Sequence, residues 1–180
     1  MLILSISYGK IKTYMSAAKD FQLYRNRPAI WVYLNKSKDK MKIAKEFRWE
    51  MGHRLPNHPG LCKNIHGHSY YMIVEIEGDV MKNGMIIDFY DLGKIIKPIL
   101  EKLDHSFLVY SKDKKVLEFL KKNRMKMVVT DYLATVENIC RDMTETVVKE
   151  FRRKKFTNIE QVTVKIYETP NSHASLTLAL

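Results

Sequence analysis

Two stretches of this chain alternate apolar and polar residues with a period of two, and each carries histidine on its apolar parity. From Met41 to His53, the residues Phe47, Trp49, Met51 and His53 share one parity, while Glu46, Arg48 and Glu50 share the other. From His66 to Gly78, the residues His66, His68, Tyr70, Met72, Val74 and Ile76 fall on one side, and Glu75 and Glu77 on the other. Successive side chains of a strand point to opposite faces, so this period marks half-buried strands. The segment Leu55-Pro56-Asn57-His58-Pro59-Gly60 between them is a loop by its Pro and Gly content. A chain built this way must form a sheet whose apolar face carries three imidazoles.

The remaining signals fill in the architecture. Asp79 to Gly84 reads as a turn, followed by a short apolar strand over Met85 to Phe89. Leu92, Ile95, Ile96, Ile99, Leu100 and Leu103 have helical spacing, with Pro98 set to kink that helix or shift its start. Lys112 to Lys126 reads as a solvated helix with Val116, Phe119 and Leu120 inward, and Met127-Val128-Val129 as a short strand. Thr135 is an N-cap residue type before a helix that runs through Phe151, with Ile139, Met143, Val147 and Phe151 as its buried stripe. Val162, Val164, Ile166 and Glu168 alternate on a further strand, and Ser172 to Leu180 can close the sheet. This order predicts an α+β fold, with two main helices on one face of an antiparallel sheet.

Composition narrows the function classes. At 180 residues with 46% hydrophobic residues, one domain with a sizeable core is expected. The net charge of +11 is uneven: residues 1–40 hold eight Lys/Arg against two Asp, more than half of the excess. We read 1–40 as an N-terminal appendage or a mis-assigned start, and 41–180 as the functional domain, beginning naturally at Met41. No aromatic-plus-basic nucleic-acid motif accompanies the charge, so a solvated surface is expected rather than a nucleic-acid partner. No apolar run approaches the roughly 20 residues of a membrane-spanning helix. The N-terminus has no basic residues ahead of its short apolar run and no cleavage site, so it is a poor secretory signal. Two cysteines, Cys62 and Cys140, make no disulfide framework, and a cytoplasmic location is expected.

The candidate site begins with His53, His66 and His68. A lone histidine on an apolar face is ordinarily a satisfied core residue. Three on matching faces of adjacent strands also fit a three-nitrogen metal site with one open position, the arrangement of a catalytic zinc. Cys62, on a polar loop four residues before His66, is either a thiolate poised by a nearby cation or a small buried hydrophobe. Cys140, inside an apolar helix, fits the second description. Asp104-His105 ends the first helix; the carboxylate can orient the ring, or the two can be an ordinary surface pair. Glu168 could accept two N–H groups from a planar heterocycle, or lie at an exposed strand end. Glu137 could bind ligand or favour a helix start.

Six motifs occur in order: Glu50-Met51-Gly52-His53-Arg54-Leu55-Pro56, Cys62-x3-His66-Gly67-His68, Gly84-Met85-Ile86-Ile87-Asp88-Phe89, Leu103-Asp104-His105, Thr135-x-Glu137-Asn138 and Tyr167-Glu168-Thr169. Together they resemble the 6-pyruvoyl- and 6-carboxy-tetrahydropterin synthase family over roughly residues 41–175. The resemblance implies a tunnelling fold (T-fold) assembled into oligomeric barrels, commonly a homohexamer with active sites at subunit interfaces. It implies zinc on His53, His66 and His68, Cys62 as the catalytic base, and Asp104 with His105 completing the proton-transfer set from a neighbouring subunit. It puts Glu168 on the pterin ring, with Thr135 and Glu137 as further substrate-binding residues. The implied substrate is 7,8-dihydroneopterin triphosphate. The spacing Cys62-x3-His66 and the ending Glu168-Thr169-Pro170-Asn171-Ser172 resemble the carboxy-forming branch of the queuosine (7-deazaguanine) pathway, which releases acetaldehyde and triphosphate. The pyruvoyl-forming branch and a non-catalytic pterin-binding relative are the alternatives. Two positions depart from the family pattern: Val109, where Asn is usual, and Ala134, where Pro is usual.

Overall fold

The computed structural model describes residues 40–180, together with a small antiparallel ladder of Ser5–Ser7 (β1) against Lys10–Lys12 (β2). The chain divides into two compact units, Met1–Ser37 and Lys38–Leu180. The expected appendage lies, apart from that ladder, outside the described residues.

The second unit is a six-stranded sheet. Its strands are β3 (Lys40–His53), β4 (His66–Asp79), β5 (Ser106–Tyr110), β6 (Met127–Thr130), β7 (Ile159–Thr169) and β8 (Ser172–Ala179), in the order β6-β5-β3-β4-β7-β8. The two alternating stretches form one long antiparallel ladder from Lys40↔Asp79 to His53↔His66. Helices α1 (Phe89–Leu103) and α3 (Val136–Lys154) bury Leu92, Ile96, Leu100, Ile139, Met143, Val147 and Phe151 in one core with Trp49, Tyr70, Met72, Val74 and Ile166. Each fully buried aliphatic or aromatic side chain of this kind contributes about 1.5–3 kcal/mol of transfer free energy. Helix α2 (Lys114–Lys122) makes a smaller core of Val116, Leu117 and Leu120 with Val109. That contact gives Val109 a packing role that a polar residue would not fill.

The α+β reading holds, with three differences. The sheet is mixed rather than wholly antiparallel, because β5 and β6 run parallel to β3 and to each other. Ser106–Tyr110 carried no strand expectation: five residues are too few to display a period, and pairing to β3 and β6 decides their state. Met85–Phe89 is not a strand. Asp88 instead caps α1, its Oδ1 accepting the Tyr90 N–H at 2.6 Å, and the helix starts at Phe89. Pro98 lies inside α1 on the exposed face, where the carbonyl it leaves unbonded can reach water. Thr135 does cap α3, its hydroxyl accepting the Asn138 N–H at 3.4 Å. No helix among the described residues is long and apolar enough to cross a membrane.

Candidate metal centre and active site

The histidines sit where the β3–β4 ladder ends. His53 pairs directly with His66, and Met51 with His68. The three ring centroids lie 4.5, 5.1 and 5.2 Å apart, and one nitrogen of each ring falls within 4.8 Å of the others. Glycine makes the close packing behind them possible. Gly52 and Gly67 face each other across the ladder; a Cβ on Gly52 would lie 2.8 Å from the Phe107 ring, and one on Gly67 would lie 3.0 Å from the Met51 carbonyl.

Backbone carbonyls orient two of the rings. His53 Nδ1 donates to the Ala134 carbonyl at 2.7 Å, and His66 Nδ1 donates to the Asn64 carbonyl at 2.8 Å. A carbonyl can only accept, so both Nδ1 atoms carry hydrogen, and in the neutral ring the Nε2 atom is left with the lone pair. This is the outer-shell arrangement that fixes the tautomer of metal-binding imidazoles. Since a main-chain carbonyl does the work, the Ala134 departure leaves it intact.

Glu168 completes the cluster. It lies where the β7–β8 register shifts between Tyr167 and Thr169, an irregularity of the kind that re-aims a side chain. Its Oε1 stands 3.3 Å from His53 Nε2 and 3.8 Å from His68 Nε2, and accepts the Tyr70 hydroxyl at 3.3 Å. His53 is 2% exposed, and its Nε2 is buried with no hydrogen-bond donor against it. Burial pushes both His53 and His68 below the ordinary histidine range, so the neutral rings are favoured despite the nearby carboxylate. A neutral Nε2 facing a carboxylate oxygen sets two lone pairs against each other in a buried place. A cation among these atoms resolves the conflict, and three imidazole nitrogens suit a first-row divalent metal such as zinc. The residues therefore fit the group.

Asp104 and His105 approach from the end of α1. The Glu50 N–H donates to Asp104 Oδ1 at 3.0 Å, and the His105 N–H donates to the Glu50 carbonyl at 2.7 Å. This bracket ties the pair to β3 three residues before His53. His105 adopts φ 52°, a left-handed conformation that costs a non-glycine residue about 1 kcal/mol or more. Its ring is 77% exposed, with Nδ1 3.0 Å from Asp104 Oδ2. The Glu50 N–H, and then the His105 ring, hold the Asp104 carboxyl below the usual carboxylate range. His105 and His68 line one open cleft of about 400 Å³ with Glu50, Gly52, Gly67 and Ser69.

The other expected residues are distributed differently. Cys62 is half-buried on a single 3-10 turn, Leu61–Lys63. Among the described residues no hydrogen bond or ion pair joins its thiol to Asp104 or His105, whose side chains pair with the Glu50 N–H and with each other. Thr135 spends its hydroxyl on the helix cap, beside the Ala134 carbonyl that holds His53. Glu137 is exposed in the first turn of α3, where the helix dipole favours an acid. Cys140 is buried, its thiol donating to the Val164 carbonyl at 3.3 Å.

Sequence reasoning missed Tyr70 and the pair Arg54–Asp113. Tyr70 shares the parity of His66 and His68, so its signal was present but indistinguishable from core. Asp113 stands 59 positions from Arg54 and had no local signal.

A sheet backed by helices, ending in three imidazoles arranged to take a metal, defines a T-fold protein with a candidate metal centre. The 6-pyruvoyl tetrahydropterin synthase family pattern matches residues 42–178, and the chain belongs to that family. The 6-carboxy-5,6,7,8-tetrahydropterin synthase of Haemophilus influenzae is 35% identical over 139 residues, covering 73% of this chain and 94% of the relative. The enzyme of the same name from Aquifex aeolicus is 28% identical over 158 residues, covering 75% and 96%. The 6-pyruvoyl tetrahydropterin synthase structure from Plasmodium falciparum superposes with a TM-score of 0.63 at 17% identity, covering 78% of this chain and 99% of that one, a likeness of fold.

Proposed function

We propose that this chain is a zinc-dependent 6-carboxy-5,6,7,8-tetrahydropterin synthase. It converts 7,8-dihydroneopterin triphosphate to 6-carboxy-tetrahydropterin, acetaldehyde and triphosphate, on the route to queuosine. The observation that carries the reading is the convergence of three imidazoles, two with their tautomers set by carbonyls, around a buried nitrogen that lacks a donor. The carboxy branch is supported by the names of the bacterial relatives and by the Cys62-x3-His66 spacing.

His53, His66 and His68 would hold the zinc. When bound, it supplies Lewis acidity toward the hydroxyls of the substrate side chain and makes the adjacent carbon a better acid. The chain's own groups do the rest. Cys62 takes the proton from carbon as thiolate. His105 passes a proton across the open cleft, and Asp104 steadies its ring as it charges. Glu168 binds the N–H edge of the pterin, with Thr135 and Glu137 assisting, while Tyr70 holds the Glu168 carboxylate. Because Asp104-His105 and Cys62 are not joined within one chain, the full set assembles where subunits meet, in a cytoplasmic homohexamer. Residues 41–180 form the synthase domain and 1–40 an appendage. A chain beginning at Met41 therefore folds and turns over normally, and an insoluble or inactive product overturns that division.

The deciding experiment incubates zinc-loaded protein with 7,8-dihydroneopterin triphosphate and identifies the products. Carboxy-pterin with acetaldehyde is expected. A pyruvoyl-pterin would assign the sister activity, and tight pterin binding without turnover would leave a binding relative.

A further inference from the structure

Three consecutive carbonyls around Cys62 are held by three different donors. The Leu55 N–H donates to the Cys62 carbonyl at 2.8 Å, Arg54 Nη1 to the Lys63 carbonyl at 3.3 Å, and His66 Nδ1 to the Asn64 carbonyl at 2.8 Å. Two of these donors belong to the residues that directly follow His53. A turn of one 3-10 unit has little stability of its own, so these bonds set where the thiol stands. The Arg54 guanidinium is the one long, flexible donor of the three, and it needs an anchor.

Asp113 is that anchor. Its carboxylate takes Arg54 Nε at 2.5 Å and Nη2 at 2.8 Å, a bidentate fork, and its side chain is 5% exposed. Asp113 is also the N-cap residue of α2, yet its side chain makes no cap hydrogen bond there. An aspartate at that position normally accepts from the helix N–H groups. Here both oxygens are turned to Arg54 instead. The helix gives up its cap to immobilise a guanidinium that reaches the Cys62 turn.

We propose that Arg54, locked by Asp113, is the positioning residue that sets the Cys62 turn against the histidine cluster. The inference rests on the reading of Cys62 as the acting thiolate, but its test does not depend on turnover alone. Loosening the turn does two opposite things. It opens the half-buried thiol to a small reagent, and it misplaces the thiol for substrate, where a shift of about 1 Å can cost on the order of 100-fold in rate.

The test uses the full-length, zinc-loaded protein and the variants Arg54→Gln, Arg54→Lys and Asp113→Asn. Iodoacetamide labelling of the Cys62 peptide is followed by mass spectrometry, with buried Cys140 as internal reference, beside kcat, KM and zinc content. In Arg54→Gln, Cys62 labelling speeds up several-fold while kcat falls about 10- to 100-fold, with KM and zinc little changed. Arg54→Lys keeps the charge but loses the fork, and behaves more like Gln than like the parent. Should Arg54→Gln fail to fold, the other two variants carry the same measurements. Folded variants with parental Cys62 labelling overturn the proposal, whatever their kcat. Full activity in Cys62→Ala would instead overturn the role given to the thiol, and leave the labelling result to judge Arg54.

Discussion

The two ends of the β3–β4 ladder are made by the same rule and do opposite things. At one end Lys42 Nζ lies 3.1 Å from Glu75 and 3.4 Å from Glu77, and Lys40 Nζ lies 2.6 Å from Glu160. Both lysines stand in solvent, where ion pairs contribute little. At the other end, thirteen residues along β3, His53 is buried against His66, His68 and Glu168. Pairing geometry and alternation are the same at both ends. The difference lies in what closes each end. The Ala134 carbonyl, the re-aimed Glu168 and the Tyr70 ring close around His53 and bury it, while His66 and His68 stay half-buried, His68 beside the open cleft. Imidazole lone pairs there have few competitors, and a metal can supply what the site lacks. A strand ladder thus provides a scaffold, and its surroundings decide whether a titratable end is a surface or a site.

The comparison breaks most sharply at His66→Ala. This change removes one nitrogen of three and is expected to leave substoichiometric zinc by elemental analysis and no measurable turnover. Retained stoichiometric zinc would mean that the cluster is not the metal site. Next comes Cys62→Ala, expected to lower kcat by about 100- to 10,000-fold, the range of general acid–base catalysis, with zinc kept. Loss of the metal in that variant would make Cys62 a ligand.

A smaller effect is expected for Asp104→Asn, and it depends on pH. The folded carboxyl titrates below its ordinary value of 3.8, so the carboxylate favours the native state. That stabilisation is fully present above the ordinary value and is lost as pH falls through the depressed one. Urea midpoints of parent and variant should therefore differ at pH 7, begin to approach each other as pH falls past 3.8, and converge below the depressed value. A difference that persists at low pH would show that the carboxylate charge is not the cause. At the far end of the ladder, Lys42→Ala should change neither Tm nor turnover resolvably, since Lys42 itself stands in solvent and its ion pairs are screened there. A clear loss there would mean that the two ends are not as different as their burial implies.

Much of this contrast was legible in the sequence, because alternation is a local property. The parity of Phe47, Trp49, Met51 and His53, and of His66 through Ile76, specified two half-buried strands and the face their histidines share. The stripe of Ile139, Met143, Val147 and Phe151 specified α3, and Thr135 its start. Where local signals compete, the reading failed. Met85–Ile87 is apolar enough for a strand, but the Asp88 cap turns the chain into α1. Ser106–Tyr110 is too short to announce itself, and its parallel pairing to β3 depends on a crossover that no local pattern encodes.

The sequence by itself determined the residue types, their parity and the family's ordered motifs, since each depends on neighbours a few positions away. Only the tertiary structure decided which nitrogen of His53 faces the site, because that depends on a carbonyl 81 positions away. It alone turned Glu168 inward at a register shift, and joined Arg54 to Asp113 beside the Cys62 turn. These are matters of distance and direction between remote segments, and burial gives them their energetic weight.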